Sequence, residues 1–313
     1  MKIAVVGAGA MGCRYGAALA GAGQEVTLVD IWQEHIDAIN RGGLEVTGPE
    51  GVGVVKVGAV TRADMVGVVD LLMVFTKSIH TEAAMKGAVA AVGPHTLAMT
   101  LQNGLGNIEA IEKFVPRNRI IAGVTDFPSD LLGPGRIKVT GVGTTRFQLL
   151  EKGDPRVLQT LQTVYEVFAS AGLNPEMPSE IMAAIWGKVA FNAAINAVTA
   201  ITRLSVGDAG QSDEAFDIME EVVKEAVEVA ACEGVRIDAS EVLGRLKRIS
   251  RMREHGDHLP SMLQDVLARK ITEVASINGA IVARARKHGV RVPFNQCLYD
   301  LIAVIQRNYD RQR

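Results

Sequence analysis

The stretch that most limits what this chain can fold into is its beginning, MKIAVVGAGAMG, Met1 to Gly12. Ile3, Ala4, Val5 and Val6 form a continuous apolar run that reads as a buried strand, and Gly7, Gly9 and Gly12 follow it before a helical pattern that runs through Gly21. In a dinucleotide-binding βαβ turn each glycine has its own task. Gly7 permits the tight turn, Gly9 lets a pyrophosphate approach the backbone, and Gly12 lets the helix pack against the strand. The helix start adds unpaired N–H groups and the positive end of its dipole. Gly7, Ala8, Gly9, Ala10, Met11 and Gly12 are therefore the expected phosphate cradle. A second strand, Glu25 to Asp30, ends in a carboxylate eighteen positions after Gly12, close to the spacing of about 20 for the acid that holds an adenine ribose.

At 313 residues with 48% hydrophobic and 22% charged side chains there is material for about two domains with real cores. Lys plus Arg number 33 against 35 Asp plus Glu, a net charge of −2. With no long block of one sign, neither nucleic acid nor a membrane surface is expected as a partner. Cys13, Cys232 and Cys297 have no ligand-like spacing, which argues against a disulfide framework and for a reducing compartment. Cys13 is expected to be a small core residue. The N-terminal apolar run is broken by glycines before it reaches the length of a signal core, and no window holds about 18 uninterrupted apolar residues. The expected setting is the cytoplasm.

Strands at Asp70–Phe75 and Thr96–Leu101 alternate with helices at Trp32–Arg41 and Thr81–Val92 and with a helix after Gly106, while Leu44–Thr47 and Val52–Val57 read as short strands. This alternation predicts a parallel, doubly wound Rossmann-type sheet. Arg136–Thr140 and Thr144–Leu149 read as antiparallel strands closing its edge, followed by a helix at 155–171 and a strand near 173–177. From Pro178 onward the pattern is helical: Ser179–Ile201, Asp213–Glu233, Ala239–Arg253 and one long helix Pro260–Lys287. The expected organisation is an α/β dinucleotide-binding domain over 1–177 and an all-α substrate and catalytic domain over 178–313.

In IWGKVAFNAAINAVTAI the polar residues Lys188, Asn192 and Asn196 recur every four positions and share one face of an otherwise apolar helix. Such a stripe is either a solvated face or a ligand face. Asparagine is a weak helix former for a surface, and its amide suits a carboxylate or hydroxyl ligand. Ser261 with Gln264 three residues on has the form of a capping box, and a capped helix start can also hold a carboxylate. Glu273, four residues after Arg269 and three after Lys270, reads on spacing alone as a surface ion pair. Glu254-His255-Gly-Asp257-His258 has an HxxH spacing in a polar connection, and no metal is expected there or elsewhere.

The series Gly7-Ala-Gly-Ala-Met-Gly12, Phe75-Thr-Lys77, Gln102-Asn-Gly104, Trp186-Gly-Lys188-x3-Asn192-x3-Asn196, Ser261-Met-Leu-Gln-Asp265, Glu273 and Ile277-Asn-Gly279 resembles the ketopantoate reductase (2-dehydropantoate 2-reductase) family in order over nearly the whole chain. The resemblance implies NAD(P)H-dependent reduction of a 2-oxo acid, ketopantoate to pantoate in pantothenate and CoA biosynthesis. It implies Lys188 as the general acid, Asn192, Asn196 and Ser261 as substrate ligands, and Glu273 beside the nicotinamide ribose and the substrate. Lys77 and Asn103 are implied as cofactor ligands. A buried ammonium suits that chemistry, because it stabilises a developing alkoxide and protonates it.

Three positions depart from the family pattern. Ile31 stands where the family usually carries an arginine for the 2′-phosphate of NADP. Asp126-Phe127-Pro128 replaces a Thr-His-Gly segment, and Val206 stands where some members place a substrate-binding Asn. The pair Asp30 and Ile31 turns the expected cofactor to NAD(H), although NADP(H) is the family's usual one. The other two bear on which 2-oxo acid is taken. The alternatives are a reductase of a different 2-oxo or 3-oxo acid on the same scaffold and a non-catalytic dinucleotide sensor, for which a lysine and a glutamate at these positions have no use. Long apolar C-terminal helices leave room for a homodimer.

Overall fold

The computed structural model describes residues 1–251 and 259–311, so the Glu254–His258 cluster lies outside the described residues. The chain divides into two compact units, Met1–Gln102 with Asn107–Ile181, and Asn103–Gly106 with Met182–Arg313.

In chain order the first unit comprises β1 (Lys2–Val6), α1 (Ala10–Gly21), β2 (Glu25–Val29), α2 (Gln33–Gly42), β3 (Leu44–Gly48), β4 (Gly51–Val55), β5 (Gly58–Val60), β6 (Val69–Val74), α3 (Thr81–Ala88), β7 (Val92–Thr100), α4 (Asn107–Glu112), β8 (Ile120–Thr125), β9 (Ser129–Gly133), β10 (Arg136–Val139), β11 (Thr145–Leu149), α5 (Pro155–Ser170) and β12 (Pro175–Glu176). The main sheet has the order β12-β11-β8-β7-β6-β1-β2-β5. It is parallel from β5 to β8, with β11 antiparallel on β8. Successive residues of β1 feed two different cores. Ile3 and Val5 join Tyr15, Leu19, Ile36, Ile39 and Phe168, whereas Ala4 and Val6 join Met85, Ala88 and Ile111. A strand buried on both faces must be apolar throughout, which is why the sequence reads as a run and not as an alternation. The chain runs outward from β1 to β2 and β5 and then crosses to β6 on the other side of β1, so the Gly7 turn sits where the strand order reverses.

Two edge expectations are corrected. Arg136–Thr140 and Thr144–Leu149 do not pair: β11 completes the main sheet, while β10 enters a second sheet of order β4-β3-β10-β9. The glycines Gly133 (φ 151°) and Gly135 (φ 67°) turn the chain into the β9–β10 hairpin, and β10 then pairs parallel with β3. The strand expected near 173–177 shrinks to Pro175–Glu176, while β5, β8 and β9 carry no alternation long enough to be read in advance.

The second unit is helical: α6 (Ile181–Thr202, its first residue in the first unit), α7 (Val206–Gln211), α8 (Asp213–Cys232), α9 (Ala239–Arg251), α10 (Ser261–Leu267), α11 (Asn278–His288) and α12 (Pro293–Arg307). By length and mean hydropathy (1.4) α6 is long and apolar enough to cross a membrane, and 67% of that window is buried inside the protein. The single helix expected over Pro260–Lys287 is broken, which is a correction with a visible cause. Arg269 adopts a left-handed conformation (φ 54°). Arg269 N–H then donates to Val266 O (3.1 Å) and Lys270 N–H to Asp265 O (2.8 Å), a Schellman stop with arginine where glycine is usual. Gln306 Oε1 takes the Thr272 N–H (3.1 Å), and the chain turns until α11 begins. Glu273 therefore lies in a turn and not on a helix with Arg269 and Lys270.

Candidate active site

In the first unit the glycine turn is built by exclusion. Gly7 N–H donates to Val29 O (2.8 Å), and Phe75 N–H to Val6 O (2.8 Å). With φ at 98°, a Cβ on Gly7 would lie 2.5 Å from Thr76 N, and one on Gly12 would lie 1.9 Å from Gly7 O. Both sites accept glycine only. Gly9 is different: nothing lies within 4 Å of where its Cβ would be, and no side chain caps α1. Space beside Gly9 and uncapped N–H groups at a helix start fit a pyrophosphate.

Asp30 is tied to this turn. Its Oδ2 accepts the Ala8 N–H (2.9 Å) and its Oδ1 the Trp32 N–H (3.1 Å). Ile31 beside it is 93% exposed. Arg14, the nearest cation on α1, is committed elsewhere: its guanidinium donates to Pro128 O (2.5 Å) and lies 4.4 Å over the Phe127 ring. Phe127 is buried and meets Tyr15 edge-on at 6.3 Å, and Asp126 accepts from Arg146 (3.2 Å). The Asp-Phe-Pro segment thus has a packing role that its sequence did not disclose.

Gln102, which spacing alone did not single out, joins the loops after β6 and β7. Its Nε2 donates to Thr76 O (2.6 Å) and Thr81 Oγ1 (2.8 Å), while Thr100 Oγ1 donates to its Oε1 (2.9 Å). Lys77 follows Thr76 in the same loop, half-buried.

His35 braces the turn from behind. Gly135 N–H donates to His35 Nδ1 (3.0 Å), which puts the ring proton on Nε2, 3.4 Å from Cys13 Sγ. The ring stacks on Trp32 at 5.2 Å. Cys13 is the core residue expected: burial, with Asp30 adding to it, pushes its thiol up to about 12. Burial lowers the His35 pKa below its ordinary 6.5. The unfolded chain then binds the extra proton first, so stability is complete above about pH 6.5 and falls as the pH drops through that value toward the folded pKa. The thermal midpoint is expected to fall between pH 7 and 5. Asparagine at position 35 should flatten that slope, and calorimetry across this range checks it.

The second unit carries the other residues. Lys188, Asn192 and Asn196 lie along α6, where Lys188 is the single charged residue. Asn192 and Asn196 are 7% and 5% exposed, yet neither side-chain amide has a hydrogen-bond partner among the described residues. The two residues are buried for most of their surface, and their amides are not spoken for by the described residues of the protein. Glu273 accepts from Asn103 Nδ2 (3.4 Å). Asn103 reaches it because Asn103–Gly106 belongs to this unit: Leu105 N–H donates to Ser276 O (2.8 Å), and a Cβ on Gly104 would lie 2.5 Å from that oxygen. The expected capping box at Ser261 is not formed. Pro260 is the N-cap without a side-chain bond, Ser261 is the first helical residue and exposed, and Gln264 Nε2 donates back to Leu259 O (2.8 Å). Val206 is buried at the start of α7. Among the described residues no group of three or more His, Cys, Asp or Glu is placed to hold a metal.

Residues 3–152 match the family model for ketopantoate reductase PanE/ApbA, and residues 180–306 match that for its C-terminal domain. The chain is 32% identical over 305 residues to the 2-dehydropantoate 2-reductase of Lactococcus lactis, covering 96% of this chain and 97% of that protein. It is similar to a PanE/ApbA family ketopantoate reductase from Ralstonia eutropha (30% identity, TM-score 0.89, 99% and 100% coverage). It is also similar to D-mandelate dehydrogenase in a ternary structure with NADH and anilino(oxo)acetate (32% identity, TM-score 0.94, 99% and 100% coverage).

Proposed function

This chain belongs to the ketopantoate reductase family of oxidoreductases, and we propose that it reduces a 2-oxo acid to the 2-hydroxy acid with NADH, residues 1–177 serving the dinucleotide and 178–313 the substrate. The observation that carries this reading is the pair of buried, unpartnered amides on the α6 face that also bears Lys188. The dinucleotide supplies a hydride to the carbonyl carbon. Lys188 donates a hydrogen bond to the carbonyl oxygen and yields its proton as charge develops there. Asn192 and Asn196 hold the oxo acid through donors and acceptors together, Ser261 takes its carboxylate, and Glu273 attends the nicotinamide ribose and the substrate. Gly7–Gly12 cradle the pyrophosphate, Asp30 takes the ribose hydroxyls, and Lys77 and Asn103 complete the cofactor contacts.

The first candidate substrate is 2-dehydropantoate, the one for which the curated relatives are named. A second reading, an aromatic 2-oxo acid, draws on the likeness to D-mandelate dehydrogenase and on Val206. An asparagine there rewards a substrate hydroxyl, and a valine does not. Oxidation of NADH with 2-dehydropantoate and with 2-oxo-2-phenylacetate, followed at the nicotinamide absorbance, separates the two by their kcat/KM. NADH binding without turnover of either acid returns the reading to the two alternatives, a reductase of a different 2-oxo or 3-oxo acid and a dinucleotide sensor.

Asn196→Ala is expected to raise the KM for the oxo acid and weaken product inhibition with a nearly unchanged melting temperature. A large loss of thermal stability with unaltered kinetics in the folded fraction would make the amide structural.

A further inference from the structure

The Ile277-Asn-Gly279 motif has no part in the chemistry above. Asn278 opens α11 and is fully buried. Its Nδ2 donates to Ala193 O on α6 (3.0 Å) and to Asn295 Oδ1 (3.2 Å). Asn295 is itself fixed, its Nδ2 donating to Glu225 Oε2 (2.8 Å) and Val222 O (3.1 Å) of α8. Glu225, also buried, accepts the N–H groups of Phe294 and Asn295 (2.9 Å each) at the start of α12. One carboxylate therefore caps α12 and orients Asn295 so that its Oδ1 faces Asn278. With two acceptors on one side, the Asn278 amide must present Nδ2 there. Its Oδ1 is left as the one side-chain polar atom among the described residues that is sealed from solvent and without a partner. Leaving a buried acceptor unmade is costly, and an apolar residue filling the space would avoid that cost. The donor side of this amide is therefore what the site uses.

Two elements meet through that donor. Ala193 directly follows Asn192, on the helix of Lys188 and Asn196. On the other side, Asn278 ends the turn that carries Glu273, whose carbonyl accepts the Ser276 and Ile277 N–H groups (3.1 Å each) and the Ser276 hydroxyl (3.0 Å). Gly279 N–H closes the turn onto Val274 O (2.9 Å). We propose that Asn278 is a positioning residue that fixes the register of α6 against the Glu273 turn, and so sets the general acid and the substrate amides relative to the glutamate. The inference rests on the roles given to Lys188 and Glu273.

Its test compares Asn278→Ala and Asn278→Ser with the parent by kinetics, NADH titration and fluorescence. In a Trp32→Phe background, Trp186, buried on α6, is the sole tryptophan of the chain and reports movement of that helix. Asn278→Ala is expected to lower kcat about 10-fold to 100-fold, the scale of a misplaced reacting group, to leave the Kd for NADH nearly unchanged, and to shift Trp186 emission. Asn278→Ser, which keeps a hydroxyl donor, should restore part of both changes. If the alanine variant does not fold, Glu225→Gln, which removes the charge orienting Asn295, should show the same two changes in smaller measure. A lowered melting temperature with kcat and Trp186 emission unmoved overturns the proposal. Lys188→Ala measured in parallel separates the failures: if it retains turnover the chemistry assigned to Lys188 falls, while Trp186 emission still decides whether Asn278 sets α6.

Discussion

Lys188→Ala is expected to lower turnover by about 10²-fold or more, the range for loss of a positioned acid, while NADH binds almost as before. Lys188 is the single charge on α6, on the same face as two buried amides without partners, so no second cation on that helix can take over. Lys188→Arg discriminates between charge and proton. A guanidinium keeps the charge but does not give up its proton, so this variant should recover part of the substrate affinity and little of kcat. The pH profile adds a separate reading, since kcat/KM of the parent should fall as pH rises through the pKa of the acid, and the alanine variant should lose that limb. Near-normal turnover in Lys188→Ala would remove it from the mechanism.

The second large effect expected is a preference for NADH over NADPH. Asp30 is held against the glycine turn through Ala8 N–H, and a 2′-phosphate beside it would meet a like charge in a partly desolvated place. A cation is the usual remedy. Ile31 cannot provide one, and Arg14 is held by Pro128 O and the Phe127 ring. Arg41 is exposed at the far end of α2. A missing ion pair with an added repulsion amounts to about 1–3 kcal/mol, roughly 10-fold to 100-fold in specificity constant. Steady-state kinetics with both cofactors at one substrate concentration measures it. A higher kcat/KM for NADPH would sink the idea and direct attention to Lys77. The double change Asp30→Ala with Ile31→Arg should move the ratio toward NADPH. If the ratio stays where it was, Asp30 does not contact the ribose.

The glycine turn was legible because each glycine answers to backbone sterics within a few residues of itself: Gly7 and Gly12 admit no Cβ, and Gly9 faces open space. The strands of the main sheet were legible because burial on both faces imposes continuous apolar runs. The α6 stripe followed from helical periodicity alone, but periodicity does not say whether a polar face meets water. The folded chain adds that Asn192 and Asn196 are buried for most of their surface, which periodicity could not say.

What the tertiary structure decided rests on contacts between residues far apart in the chain. Arg269 could have continued a helix, and nothing in its type announces a left-handed stop. The turn is held by bonds such as Thr272 to Gln306, 34 residues away. Asn103–Gly106 lies between a strand and a helix of the first unit in sequence, yet packs with the second, where Leu105 N–H bonds Ser276 O and the Ser276 backbone leaves no room for a Cβ at Gly104. β10 left the expected edge because β3, some ninety residues earlier, offered it a parallel partner. Arg14 is held by Pro128 and Phe127, more than a hundred residues on, a contact that its neighbours in the sequence do not announce. Local sterics and periodicity are written into neighbouring residues and so determine the turn, the strands and the polar face. Partner choice between distant segments depends on which surfaces the fold brings together, and only the folded chain fixes it.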